Sequence, residues 1–597
     1  MNAMDPLSAR LAGLVPRNLP RPEPEALRSA VGRPPAPWIA TVAGWYLPLT
    51  VVGLAGLVAA ALGAWPWLGV LCFAAVLAGD WAAARVVSPL ETLLTLSGWT
   101  RQVRALVRDL LLVVVTARAE PDTLVPLMLA VALIQLTWLG FGALGVFAGS
   151  RQPLAGFVPG AARQPSPTVA FAAIRGYEAG VVLLYFELAA ALVTLLSDRV
   201  TGLAFGLLAV LLVAVGGVLL LRARRVLASA ASAEQQLVDD ITREAPTALV
   251  YITAGTGQGR HLLSPWLPTL EALPDGCLIV VREASHLATL EATSLRVVYA
   301  PTSRNLERAI VPSLRVAFFL GNSAKNIDLQ RYPNLRHVFL GHGDSDKSPS
   351  ANPMARVYDQ IWVAGQAAID RYAAAGVDLP ADRFVIVGRP QVEQLRRGPL
   401  GQQPPTVLYA PTFEGYLDET NYTSLETMGP EIVRRLLAHR PAVRICFRPH
   451  ASTGLLRPGM RAARIEVDRL LSESGGDHLG SHTQVGRPLQ EAFDAADVLI
   501  ADVSGVASDF LWTLRPIIAG NPRALTAEEF ARRYPSQSAN YLLTAPEQID
   551  QIIDLALGDD PGLPGRTAIA GYVLGEHPHG PTATFIAATR RLAAQPR

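Results

Sequence analysis

The sequence predicts a bundle of membrane-crossing helices followed by two doubly wound α/β lobes, and three observations carry that prediction. Apolar runs of spanning length recur between residues 39 and 225. Short β-branched runs alternate with helical stretches from 248 onward. A Gly/Pro/Gln-rich linker at 397–405 is followed by a second series of the same kind. At 597 residues the chain is too long for a single core. Half of its residues are apolar and 17% are charged, a balance that suits a protein partly in membrane and partly in water. A formal net charge of +2 argues against nucleic acid as a partner. The three cysteines, Cys72, Cys277 and Cys446, have no metal-ligand spacing and suggest no disulfide framework.

Residues 1–38 are rich in Pro and Arg, lack the apolar stretch of a secretory signal, and read as a flexible cytosolic tail. Within 39–225, runs at 41–62, 67–84, 124–148, 179–196 and 202–221 approach the roughly 20 apolar residues that a spanning helix needs. Arg222, Arg224 and Arg225 follow the last run and place the chain after it on the cytoplasmic side. A consistent charge bias then asks for a further element at 105–117, although it contains Arg108 and Asp109. The expectation is a multi-pass protein of the inner (plasma) membrane, with about six membrane elements, membrane lipids among its partners and its catalytic domain in the cytoplasm. A linker helix over 226–247 leads into that domain.

The first lobe, 248–400, has candidate strands at 248–253, 277–281, 296–299, 315–320, 337–340, 360–363 and 384–387. The second, 401–597, has them at 407–409, 443–447, 498–501 and 516–519, with a weaker piece near 482–485. Open α/β sheets bind ligands beyond the carboxyl ends of their strands, so polar residues matter most just after a strand. Four places qualify. After 337–340 come Gly341, His342, Gly343, Asp344 and, further on, Lys347. After 407–409 come Pro411, Thr412, Phe413 and Glu414. After 443–447 come Arg448, Pro449 and His450. After 498–501 come Asp502, Ser504, Gly505, Ser508 and Asp509.

The chemistry at these places suits a diphosphate. Backbone N–H groups near Ser504 and Gly505 face a helix start, where anions are favoured. His342, between two glycines, is an imidazole of the kind a general base requires. Lys347 and Arg448 could neutralise phosphoryl oxygens, and His450 could donate to one. Lysine usage adds weight, because of 52 basic residues only Lys325 and Lys347 are lysines.

With these motifs in order, residues 248–588 resemble the CDP-glycerol glycerophosphotransferase family of teichoic-acid primases and polymerases. The family's H-G-x-x-x-K is similar to His342, Gly343 and Lys347, and its Y-A-P-T to Tyr409, Ala410, Pro411 and Thr412. Its histidine after Arg-Pro corresponds to His450, and its A-D-x-L-I-x-D-x-S to the run from Ala496 to Ser504. The resemblance implies a GT-B fold of two Rossmann-like lobes, with CDP-glycerol or a related nucleotide donor in the cleft and a lipid-linked (polyprenyl) acceptor. It implies catalytic roles for His342, His450 and Lys347. It implies donor binding by Arg448, Thr412, Asp502, Ser504, Gly505, Ser508 and Asp509, with neither a metal nor a cofactor.

Departures from the family pattern bear on the donor. Val503-Ser504-Gly505 stands where a tyrosine and two serines are usual. Glu414 stands where a base is usual, and an acid there would repel a phosphate. Asn521-Pro522-Arg523 replaces an aromatic and an aspartate. Two other functions fit the same features: a GT-B glycosyltransferase using a nucleotide sugar, and a non-catalytic scaffold with a decayed transferase domain.

Overall fold

In the computed structural model, the described residues are 231–596, apart from 254–261, 288–289, 342, 348–349 and 416–420. Also described are positions 154–157, 101–119, most of 52–76 and isolated positions from 125 to 136 and at 210 and 221. They fall into two compact units, one drawn from 1–152 and 166–230, the other from 153–165 and 231–597.

In the first unit, no helix among the described residues is long and apolar enough to cross a membrane. This overturns the expected transmembrane bundle and the multi-pass inner-membrane location. The runs at 41–62, 67–84, 124–148, 179–196 and 202–221 lie wholly or in part outside the described residues. The further element at 105–117 falls within the helix Arg101–Ala119, and its charge is what disqualifies it. Arg104, Arg108 and Asp109 are buried, and Asp109 accepts a 2.7 Å hydrogen bond from Gln135 Nε2. Val103, Leu106, Leu110 and Val114 are the exposed positions. The charge bias that asked for a crossing here counted arginines that the fold buries.

The second unit holds two sheets. The first has eight strands: β1 (Ala155–Phe157), β2 (Ala248–Ile252), β3 (Cys277–Val281), β4 (Val297–Tyr299), β5 (Val316–Phe319), β6 (Arg336–Phe339), β7 (Gln360–Val363) and β8 (Phe384–Ile386). Their order is β1-β4-β3-β2-β5-β6-β7-β8. All pairs are parallel except β1 with β4, so residues 155–157 close one edge of the sheet as an antiparallel strand. The second sheet runs β10-β9-β11-β12-β13, all parallel, from β9 (Thr406–Ala410), β10 (Arg444–Phe447), β11 (Val498–Ala501), β12 (Ile517–Gly520) and β13 (Tyr541–Leu543).

Continuous apolar runs explain the parallel pairing. Cys277–Val281 and Thr406–Ala410 are buried at every position, as strands covered on both faces must be. The polar stretch near 482–485 forms a short 3₁₀ turn, Ser481–Gln484, instead of a strand. A helix over 231–244 buries Leu237 and Ile241 on the first sheet, and Glu234 pairs with Arg308 at 2.6 Å. The last helix, Pro581–Ala594, returns from the second lobe to the first. There Phe585 lies 5.6, 5.3 and 5.1 Å, centroid to centroid, from Trp266, Phe318 and Trp362. The lobe boundary is therefore crossed twice by the chain.

Candidate functional site

In the second sheet β9 lies between β10 and β11, so the connection after β9 runs to one side and the connection after β11 to the other, the switch point at which open α/β sheets form a crevice beyond their strand ends. Register sets Ala410 beside Ala501, which brings the exit loops of the two strands together. Asp502, with no exposed surface, occupies this point. Its carboxylate accepts the Thr412 N–H at 2.7 Å and the Ser424 N–H at 2.9 Å. Burial pushes its pKa up, opposed by the hydrogen bonds from Ser424 and Thr412 and by the Lys347 charge. A side chain at Gly520 would bring a Cβ within 2.7 Å of Asp502 Oδ1, so the end of β12 needs glycine to let the carboxylate in.

The first lobe reaches this point through the loop after β6. Gly341 turns the chain with a φ of 63°, and its carbonyl accepts the Trp266 indole N–H at 3.1 Å. Asp344 and Asp346 both pair with Arg371; burial pulls that guanidinium down, and the two carboxylates more than reverse it. Asp346 also accepts the N–H of Ser536 at 2.8 Å and the Ser536 hydroxyl, both from the second lobe. Lys347 Nζ donates to Thr412 Oγ1 at 2.6 Å and sits 5.5 Å from the centre of the Tyr422 ring. Burial pulls its pKa from 10.5 to about 8, with Asp502 opposing the fall. A Cβ on Gly505 would lie 3.4 Å from the Asp344 carbonyl oxygen, so the start of the helix Gly505–Phe510 abuts the same loop.

The residues expected from sequence thus separate into groups. Lys347, Thr412 and Asp502 are joined directly, and Gly505 touches the loop that carries Lys347. Ser504 and Ser508 stand at the start and middle of that short helix, buried, with both hydroxyls lacking a protein partner. His450 is exposed on the loop after β10. Its N–H bonds the Pro411 carbonyl, its Nδ1 accepts the Ser452 N–H at 3.1 Å, and its ring is 5.6 Å from Phe413. With Nδ1 accepting, the ring's proton is on Nε2.

Two expected donor ligands are occupied elsewhere. Asp509 makes a two-pronged pair with Arg389, at 2.7 and 2.9 Å, that fastens the second lobe to the loop after β8. Burial pulls the Arg389 pKa down, and Asp509 more than restores it. Arg448 turns to Gln484 Oε1 at 3.3 Å and the Arg487 carbonyl at 2.6 Å, within its own lobe. Lys325 pairs with Glu283 at 2.7 Å. His342 lies outside the described residues.

Glu414 is also resolved by its surroundings. It is fully buried and accepts the N–H groups of Gly454, at 3.0 and 3.1 Å, and of Leu456, at 3.1 Å. Its charge is spent on pinning the loop after His450, so it does not present a bare carboxylate to a phosphate. Sequence reasoning passed over Tyr422, Ser424 and Ser536, none of which directly follows a strand, and took Arg523, three residues after β12, only as part of a departure from the family pattern. Arg389, which does follow β8, carried the same signal as the chosen residues. Among the described residues, no group of three His, Cys, Asp or Glu side chains is placed to hold a metal ion.

No family model matches the chain, and no curated protein matches it. Several solved structures are similar. The wall teichoic acid polymerase TagF shares 11% identity with a TM-score of 0.41, over 62% of this chain and 95% of its own. A putative UDP-N-acetylglucosamine 2-epimerase from Listeria monocytogenes shares 13% at 0.40, over 58% of this chain and 96% of its own. The S. aureus protein MnaA, solved with UDP, shares 12% at 0.37, over 55% and 93%. The strand order and register described above carry the two-lobed α/β assignment independently of these likenesses.

Proposed function

We propose that the two-lobed part is a transferase that uses a nucleotide-diphosphate donor, and that it moves glycerol phosphate, or a similar polyol phosphate, from a CDP-activated donor to a lipid-linked acceptor of cell-envelope polymer synthesis. One observation supports it above others: the single ammonium of the first-lobe loop reaches across to Thr412 at the β9–β11 crevice of the second lobe. Ser504 and Ser508 add two buried hydroxyls with no protein partner nearby, the kind of donor a phosphoryl oxygen can use.

In the proposed reaction a hydroxyl of the acceptor attacks the β-phosphorus of the donor. The new bond is between that oxygen and phosphorus, the bond broken joins the β-phosphorus to the bridging oxygen, and CMP leaves with the electron pair. His342 is the base that takes the hydroxyl proton, as the resemblance implies, and Lys347 offsets negative charge on the phosphoryl oxygens. His450, with its proton on Nε2, is suited to meet a phosphoryl oxygen or the leaving CMP.

The test is CMP release by the full chain, with CDP-glycerol, CDP-ribitol and UDP-sugars supplied in parallel with an acceptor. The expected result is turnover of a CDP-polyol, lowered about 10²–10⁴-fold in His342→Ala with donor binding little changed. Turnover of a UDP-sugar alone would replace this function with glycosyl transfer. No turnover of any of these donors, with acceptor present, would refute both.

A further inference from the structure

The ammonium of Lys347 is a strongly hydrated charge on a flexible stem, and the crevice is a costly place for it. Burial there lowers its pKa to about 8, and the Asp502 charge offsets only part of that cost. The side chain by itself favours water over the bond to Thr412 Oγ1. The backbone that carries it is what brings it in, and that backbone is fastened at the preceding residue.

Asp346 is held from both lobes. Its Oδ2 accepts the Ser536 N–H at 2.8 Å and the Ser536 hydroxyl, on the 3₁₀ turn Pro535–Gln537 of the second lobe. Its Oδ1 accepts the Nε–H and Nη2–H of Arg371, both at 3.3 Å, from the helix Gln366–Ala374 of the first lobe. Arg371 is steadied in turn by Asp344, and its neighbour Asp370 accepts the Tyr572 hydroxyl at 2.8 Å. A Cβ on Gly365 would lie 2.5 Å from the Tyr572 carbonyl oxygen, so the start of this helix is pressed against the helix Leu563–Leu574 of the second lobe. Two adjacent residues of one first-lobe loop therefore clasp two separate parts of the second lobe. Asp346 takes the turn before β13, and Lys347 takes the exit of β9. A buried carboxylate bonded by a guanidinium, an N–H and a hydroxyl is a stiffer anchor than one ammonium–hydroxyl bond, so the dependence runs from Asp346 to Lys347.

We infer that Asp346 is a positioning residue for Lys347: by joining Arg371 of the first lobe to Ser536 of the second, it sets the loop after β6 so that the ammonium enters the crevice. The placement of Lys347 then depends on the two lobes being together. The inference rests on the transferase function proposed above for what Lys347 does once it is there, and the placement itself can be read without turnover.

The chain has two lysines, Lys325 and Lys347, so isotope labelling of lysine ε-carbons in the full chain gives two nuclear magnetic resonance signals, assigned with Lys347→Arg. The Lys347 signal, with Nζ 5.5 Å from the centre of the Tyr422 ring, is expected apart from that of Lys325, whose side chain is 46% exposed. In Asp346→Asn the ratio of crevice-bound to released ammonium should fall about tenfold, and the signal should move toward the Lys325 position. Ser536→Ala, which removes the hydroxyl and keeps the N–H, should move it the same way by less. Glu414→Gln, destabilised through its bonds to Gly454 and Leu456, should leave it in place. In turnover, Asp346→Asn should lower kcat about tenfold in the wild-type background and have no further effect beside Lys347→Met, because a residue that acts through Lys347 then has nothing to act on. A Lys347 signal that stays in place in Asp346→Asn, or that Glu414→Gln moves equally, would overturn the inference, and so would additive losses in the double variant. If Asp346→Asn does not fold, Ser536→Ala decides on the same criteria. Movement of the signal in a chain that turns over no donor would support the positioning and refute the transferase function.

Discussion

Replacing Lys347 with methionine should make the protein more stable while disabling it. In the folded chain burial lowers the ammonium's pKa from 10.5 to about 8, and that difference corresponds to about 3 kcal/mol of penalty on the charged form. The bond to Thr412 Oγ1 at 2.6 Å returns about 1 kcal/mol, so the variant should gain about 2 kcal/mol at pH 7. For a body of this size the gain corresponds to a rise of about 2–4 °C in melting temperature. The sign with pH follows from proton counting. Below pH 8 both the folded and unfolded wild type carry the proton, and the penalty is complete. Between pH 8 and 10.5 the folded form has lost the proton and the unfolded form has kept it, so wild-type stability rises with pH. The advantage of Lys347→Met should therefore be greatest at pH 7 and shrink toward pH 10.5. Thermal melts of the two proteins from pH 7 to 10, beside donor turnover reduced about 100-fold, provide the check. A variant that is less stable at pH 7, by an amount that does not change with pH, would show that the ammonium is a structural tie and would refute the reasoning.

Asp509→Ala should cost about 3–5 kcal/mol, because it leaves the buried Arg389 guanidinium without its carboxylate, and an added Arg389→Met should recover most of that loss in urea melts. Glu414→Gln should cost about 1–3 kcal/mol through weakened bonds to Gly454 and Leu456, with the KM for donor unchanged, whereas a phosphate-facing acid would show a lower KM on removal. Ser504→Ala should leave melting unchanged or slightly raised, since its buried hydroxyl has no protein partner to lose.

How far the sequence could be read differs from element to element. The strand at Cys277–Val281 is visible as five apolar residues, most of them β-branched, ended by a charge, and parallel strands buried on both faces always look like this. The three-residue strands β1 and β13 gave no such signal, and β1 lies more than 90 residues before the sheet it joins. Looking just after strands singled out Lys347, Thr412 and Asp502, which the fold joins. The same rule also named Arg448 and Asp509, whose side chains turn to Gln484, Arg487 and Arg389. The distinction lies in side-chain direction and partner, and a run of letters carries neither. Glu414 shows the reverse error, a charge judged by what a neighbour in sequence would feel, when its partners lie 40 and 42 residues away. In the helix Arg101–Ala119 the tally of arginines outside and inside a membrane gave a crossing, but Arg104, Arg108 and Asp109 are buried in protein contacts.

The central claim is that the crevice beyond β9 and β11 takes the diphosphate of a cytidine nucleotide, and titration of the full chain with CDP, against Ser504→Ala, tests it most directly. The account predicts saturable binding of one CDP per chain, weakened about tenfold in the variant at unchanged melting temperature. No binding of CDP up to about 1 mM, or binding that Ser504→Ala leaves untouched, would contradict it.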